Sequence, residues 1–295
     1  MLQIQKLQHD RSSLAEFVSL VDTVFLLGKS RCGSLVSRFP GVFLPENLSN
    51  LYAAVLDRGV VGTLATKDVV VRQGQIRTIV RMVGLVAVKN EHRGRGIGRR
   101  LLRAAMDDLR RKERLSVLWT TLPAFYAAEG WVSSDDGVVG EWQRSGVCND
   151  FSNALPAIEC VDTMEAIRQT WLTDLTIREV IDYRKVPPAV DSVWCVVAGN
   201  LREPQAYALV GERGNTGIIY ELIGDQRHFE ELWSRVCRRF SAVCVNDCAG
   251  SASYQWCLQH CDMTWRRQEL GMWFRVGGEI GDRRQLPYVP FFDRI

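Results

Sequence analysis

The chain has 295 residues, 46% hydrophobic and 24% charged, with a formal net charge of +3. That length suits two domains of about 100–200 residues, and the balance excludes a disordered or fibrous chain and announces no polyanionic partner. Residues 81–114 nevertheless hold eleven Lys/Arg against four Asp/Glu, a local excess that favours a small anionic ligand over nucleic acid.

In chain order, LQIQKLQ reads as a short strand, and SLAEFVSLVDTVFLL as a helix with Leu14, Phe17, Val18, Val21, Val24 and Phe25 at helical spacing. LYAAVLDRGVVGTLATKDVVV gives two strands around the turn residues Asp57, Arg58 and Gly59, and TIVRMVGLVAV is the most hydrophobic strand. The helix after it places Ile97, Leu101, Leu102, Ala105, Met106 and Leu109 on one face. LSVLWTT is a strand, PAFYAAEGWV a short helix from Pro123 that stops at Gly130, and GVVGEWQR a final strand. SGVCNDFSNALP reads as a linker, after which a similar order recurs. AIEC reads as a strand, DTMEAIRQTWLTDL as a helix capped by Asp162 with Glu165 three residues on, and SVWCVVAGNLREPQAYALV as a hairpin turning at Gly199-Asn200. GIIYELI is a central strand, followed by a helix (HFEELWSRVCRRF), a strand (SAVCV), a helix (SYQWCLQHC) and a strand (GMWFRV). The expected class is α+β (α/β), a tandem structural repeat with domains at 1–146 and 147–295.

The chemistry lies in EHRGRGIGRRLL, residues 91–102. A glycine-rich loop between a buried strand and a helix offers several backbone N–H groups and the positive end of the helix dipole to an anion. The spacing Gly-x-Gly-x-Gly with no acidic residue at the required distance does not fit a dinucleotide loop, and Gly-Lys-Ser/Thr is absent, which removes the P-loop. What fits is the acyl-CoA loop Arg/Gln-x-x-Gly-x-Gly/Ala, met by Arg93, Gly96 and Gly98. PAFYAAEGW adds a Phe-Tyr-x-x-x-Gly-aromatic segment in Phe125, Tyr126, Gly130 and Trp131.

On these two motifs and the element order, residues 1–145 resemble the GNAT family, the GCN5-related N-acetyltransferases. The resemblance implies two GNAT-like domains in tandem, each a mixed, mostly antiparallel sheet flanked by helices. It implies acetyl-CoA as co-substrate, its pyrophosphate on Arg93, Gly94, Arg95, Gly96, Ile97 and Gly98, and Phe125 beside it. The pantetheine arm would lie along Leu85, Val86, Ala87 and Val88, with the Val88 N–H as an oxyanion contact. Tyr126 would be the general acid that protonates the leaving CoA thiolate, and an amine would attack the thioester directly. The base is not placed: Glu91, Asp68, Asp135 and Asp136 are merely nearby, His92 belongs to the phosphate end, and the carboxylate of Ile295 in the apolar tail LPYVPFFDRI is a further candidate. The second half has GDQRHFEELW where the first has its cradle, and it is expected to have lost CoA binding.

Other features have plainer readings. Arg99, Arg100, Arg103, Arg110 and Arg111 read as a solvated helix face, with Asp107 spaced to pair with Arg103 and Arg111. Cys244, Cys248, Cys257 and Cys261 have a spacing that zinc accepts, but the helix pattern of the last two favours buried thiols, and no metal is expected. Nine scattered cysteines suggest reduced thiols in the cytoplasm. MLQIQKLQHD does not read as a signal, and no apolar run reaches the ~18 residues of a membrane span. The partners expected are acetyl-CoA and an amine acceptor, with no nucleic acid or membrane and with room for a homo-oligomer. A non-catalytic acyl-CoA sensor is the alternative function.

Overall fold

A computed structural model describes residues 1–8, 11–29, 31–112, 115–144, 154–200, 203–276, 280 and 286–295. The chain builds two mixed sheets with helices packed against them. The first half runs β1 (Gln3–Lys6), α1 (Arg11–Phe25), α2 (Leu35–Arg38), β2 (Leu51–Leu56), β3 (Gly59–Gln73), β4 (Ile76–Val88), α3 (Ile97–Lys112), β5 (Leu115–Trp119), α4 (Pro123–Ala127), β6 (Val132–Ser133) and β7 (Gly137–Gln143). The second runs β8 (Ala154–Pro156), α5 (Val161–Trp171), β9 (Asp174–Ile177), β10 (Ser192–Asn200), β11 (Glu203–Arg213), β12 (Thr216–Gly224), α6 (Phe229–Arg239), β13 (Ala242–Cys248), α7 (Ala252–His260), β14 (Thr264–Arg267) and β15 (Gly271–Arg275).

The α3 face expected from the sequence is the one buried: Ile97, Leu101, Leu102, Ala105, Met106 and Leu109 all lie in one core with Val61, Leu64 and Leu118. Asp57 and Arg58 both take positive φ, 50° and 69°, as a two-residue turn between right-twisted strands requires. In each sheet one parallel pair sits among antiparallel ones. β4 pairs with β5 over Val80–Met82 only, and β12 with β13 over Thr216–Ile219 only. Beyond those short ladders the neighbouring strands part.

The two sheets exchange strands. The first is ordered β1-β2-β3-β4-β5-β15-β6, the second β14-β7-β13-β12-β11-β10-β8. Thus β7 from the first half pairs with β13 and β14, while β15 from the second half sits between β5 and β6. β9 adds to the far end of β3 by pairing with Val70–Gln73.

Several local expectations are corrected. Ala157–Cys160 is a 3-10 turn, and the strand is the preceding Ala154–Pro156. α5 starts behind Cys160 with no side-chain cap; Glu165 turns instead to Arg168 and Tyr183. The hairpin does not turn at Gly199-Asn200, because both residues belong to β10, with a bulge at Ala198/Gly199. Most of the expected linker lies outside the described residues. Arg103 pairs with Glu129, where the C-terminal end of α4 brings a carboxylate closer than the next helical turn does, and Asp107 pairs with Arg110.

The exchange predicts mutual dependence. A fragment of residues 1–146 lacks β15, whose Met272 and Trp273 are 2% and 4% exposed; burial of each contributes about 1.5–3 kcal/mol. Against a domain stability of about 5–15 kcal/mol that loss is large, so the fragment is expected to show no cooperative thermal unfolding by circular dichroism. A sharp native-like transition would contradict it.

Candidate active site

The central strand of the first sheet breaks its ladder where it leaves β5. Opposite β3, Thr63 faces Ala87 and Ala65 faces Gly84, so the register shifts across Leu85 and Val86. Leu85 takes φ +51°, a conformation costly for a residue with a Cβ, and the buried Thr63 hydroxyl donates to its carbonyl at 2.9 Å. The bulge lies beyond Met82, where β4 and β5 no longer pair.

Downstream, a 3-10 turn at Asn90–His92 leads into the loop before α3. Gly94 and Gly96 take φ +75° and +73°, which side-chain-bearing residues avoid. Arg93, Gly94, Arg95 and Gly96 are exposed, whereas the Ile97 side chain is buried under the sheet. The Arg93 Nε donates to the Val88 carbonyl at 3.1 Å, so this arginine ties the loop to the end of β4 while the rest of its guanidinium faces outward. Phe125 lies beside Gly98, its ring 3.5 Å from where a Cβ would stand.

Tyr126 follows on α4 and is 8% exposed, in edge-to-face contact with Phe125 at 4.9 Å. It shares a core with Val83 and Leu118, which flank the parting of β4 and β5. Burial pushes its phenol up to about 12, so it stays protonated at neutral pH.

The opposite face of β4 is met by the tail. Ile295 packs against the cores that contain Met82, Leu85 and Ala87, and a Cβ on Gly84 would stand 2.6 Å from the Ile295 main-chain oxygen. Only glycine admits that approach. Each residue leading to Ile295 is held. The Arg178 guanidinium, just past β9, binds the Asp293 carboxylate at 2.6 and 3.1 Å and grips Glu221 on β12 as well. The Tyr207 hydroxyl completes Glu221 at 2.6 Å. Burial alone would raise the Asp293 carboxyl, but Arg178 overrides it and holds it below the usual range. Arg294 stacks on Phe291 at 3.7 Å and on Trp119 at 4.8 Å, with Asp135 at 3.4 Å, while Lys185 donates to its carbonyl.

Two of the four carboxylates near the site are engaged elsewhere. Asp68 pairs with Arg81, and Asp135 accepts from Gly137 and Gly271. The tail anchors Arg178, Lys185 and Asp293 were missed by the sequence reading, since each stands next to another charged residue, as a surface position would. Among the described residues, no group of three or more His, Cys, Asp or Glu is arranged to hold a metal, and His260 stacks on Trp256.

In the second sheet, β12 carries a matching register shift between Leu209 and Val210 of its partner, which places Glu221 past the end of the β13 ladder. There Glu221 is bound by Arg178, which also holds Asp293. The loop after β12 offers no cradle, since the Asp225 carboxylate itself caps the Arg227 N–H.

Residues 8–133 match the family model described as an acetyltransferase (GNAT) domain. This part of the chain is a GNAT domain. The match ends after β6, before the strand that crosses to the second sheet. A GCN5-related N-acetyltransferase from Anabaena variabilis ATCC 29413 superposes with a TM-score of 0.70 at 15% identity, over 92% of this chain and 72% of that one. A tandem GNAT protein from the clavulanic acid biosynthesis pathway does so at 0.55 and 14%, over 94% and 99%. N-myristoyltransferase from Saccharomyces cerevisiae, solved with myristoyl-CoA, does so at 0.60 and 7%, over 92% and 78%. No curated protein matches the sequence. These likenesses show the tandem fold. Among the described residues no helix is long and apolar enough to cross a membrane.

The tail anchor yields a prediction. Arg178→Met leaves two carboxylates buried without their cation, a change that costs about 3–5 kcal/mol. The native Asp293 pKa is depressed, so the stability it contributes is complete above the unfolded carboxylate value of about 4 and is lost as pH falls through the folded value. The deficit of the variant, measured by urea unfolding, is therefore expected to be largest at neutral pH and to shrink in acid. A deficit independent of pH would contradict this assignment.

Proposed function

We propose that the chain is an acyl-CoA-dependent N-acetyltransferase that moves the acetyl group of acetyl-CoA to a primary amine by direct attack. The observation that carries this reading is the meeting at one strand break of a strained bulge at Leu85, a protonated, buried Tyr126 on one face and a clamped tail on the other. The pyrophosphate rests on the loop from Arg93 to Gly98, where the positive φ of Gly94 and Gly96 turns backbone N–H groups toward one point. Arg93 and Arg95 add charge-assisted contacts, and Phe125 packs beside Gly98.

The thioester then lies along Leu85, Val86, Ala87 and Val88, with the Val88 N–H on its carbonyl oxygen. The amine enters in its neutral form from the tail side, where the Ile295 main-chain oxygen accepts its N–H, and the proton it loses passes to water. A C–N bond forms, the C–S bond breaks, and the CoA thiolate receives the Tyr126 proton, which water restores. Residues 1–146 supply the acyl site and residues 147–295 the tail; the reduced cysteines suit a cytoplasmic enzyme.

An acceptor-amine panel with acetyl-CoA, read by free thiol, tests the reading. Thiol release that requires an amine supports it, whereas tight acetyl-CoA binding without turnover would replace it with the sensor. Tyr126→Phe is expected to lower kcat about 100-fold, within the range for general acids, with acetyl-CoA affinity changed less than threefold. Unchanged kcat would remove Tyr126 from the reaction. At the cradle, Gly96→Ala puts a side chain at φ +73°, a strain of about 1–2 kcal/mol that the exposed free loop relieves by relaxing and that returns when the loop closes on the pyrophosphate, so it is expected to weaken acetyl-CoA binding about tenfold in calorimetry, with the thermal midpoint of the free protein little changed. Wild-type affinity would show that the loop does not carry the phosphate.

A further inference from the structure

At the bulge two adjacent positions call for glycine, and the chain supplies one. Gly84 is taken by the tail, since a Cβ there would stand 2.6 Å from the Ile295 main-chain oxygen. Leu85, next along, takes φ +51°, and in a bulge with one residue in that region the residue is as a rule glycine. Thr63 faces Ala87 and Ala65 faces Gly84, so Leu64 alone stands opposite both Leu85 and Val86. The Leu85 side chain is 6% exposed, in a core with Ala53, Val60, Ala65 and Ala87. The leucine is thus gripped by packing while its backbone is held against preference.

Such a conformation persists only where the surroundings over-determine it. On one side β5 is gone, because its ladder with β4 ends at Met82. On the other, the register with β3 skips Leu85 and Val86. What reaches this peptide is a side chain: the Thr63 hydroxyl, fully buried, donates to the Leu85 carbonyl at 2.9 Å. A trans peptide is planar, so the Leu85 carbonyl and the Val86 N–H point in opposite directions. Fixing the carbonyl toward Thr63 therefore fixes that N–H away from it. The cross-strand neighbours of Thr63 are Ala53 and Ala87, both apolar and buried. Valine would fill the same place there, and the one thing it could not do is donate.

We infer that Thr63 is a positioning residue for the acyl-CoA arm: its hydroxyl sets the Leu85–Val86 peptide and, through it, the strand backbone as far as Val88. This rests on the placement of the arm proposed above, but not on acyl transfer taking place. Thr63 itself touches no substrate; the arm meets backbone whose direction Thr63 has set. Without the hydroxyl, a buried carbonyl is left unpaired, which is costly, and the peptide turns to find another partner.

Thr63→Val removes the donor at nearly constant volume, and Thr63→Ser keeps the donor while losing a methyl. Calorimetry on the full chain compares two probes: CoA, and adenosine 3′-phosphate 5′-diphosphate, the part of CoA that ends at the pyrophosphate and lacks the arm. The valine variant is expected to bind CoA at least fivefold more weakly than the wild type, with the fragment within twofold. The serine variant is expected to stay within twofold on both. A purely structural role would lower the thermal midpoint without separating the probes. Should the valine variant fail to fold, Thr63→Cys, a weaker donor, is expected to lose at least threefold on CoA alone. A smaller loss on CoA, equal losses on both probes, or a serine variant as weak as the valine one would overturn the inference. Amine-dependent thiol release together with wild-type CoA affinity in the valine variant keeps acyl transfer and removes Thr63. A loss confined to CoA, in a protein that releases no thiol with any amine, keeps Thr63 and removes acyl transfer.

Discussion

The buried guanidinium of Arg178 is the contact on which the arrangement of the two halves depends. It ends β9, a strand already paired to the first sheet, and it grips one carboxylate on the second sheet and one on the tail. A charge taken out of water is tolerable only with close partners and satisfied donors, and here one cation serves Glu221 and Asp293 together. The consequence is geometric. With Asp293 fixed, Arg294 falls into its aromatic setting and Ile295 reaches Gly84, at the bulge where the acyl group is proposed to lie.

The two sheets repeat one defect and use it differently. Both central strands shift register and part from a short parallel neighbour. In the first sheet the break is lined by Leu85 and Ala87 and followed by an exposed loop with glycines at positive φ, where the pyrophosphate is proposed to rest. In the second it carries Glu221 with its cation, and the following loop is capped by its own Asp225. On the proposed reading, that ion cluster and the self-capped loop leave no place for a second CoA. One half thus becomes the scaffold that carries the tail to the other.

Much of this was legible in the sequence because it depends on local pattern. The face of α3 could be read from its 3.6-residue period, the sharply turned loop before it from Gly94 and Gly96, and the buried Tyr126 beside Phe125 from their place in a short helix. The strand exchange was not legible, because the apolar alternation of β7 and β15 names a buried face and does not say which sheet supplies the edge. The charged anchors escaped for a related reason. Glu221 interrupts the apolar run of β12, whereas Arg178 and Asp293 stand beside other charges, and the partners of Arg178 lie 43 and 115 residues away. The capping box expected at Asp162 failed because Glu165 found the buried Arg168 and Tyr183, stronger partners than an exposed helix end. Ile295 could be named as a candidate, whereas the glycine that admits it became meaningful only once the tail's path was known.

The central claim is that one acyl-CoA site exists per chain, built by the first half and denied to the second. Titration calorimetry of the full chain with acetyl-CoA measures this directly. The expected result is a stoichiometry of one per chain that is lost when the Arg93–Gly98 loop is altered. Two sites per chain, or one that survives changes in that loop, would contradict it.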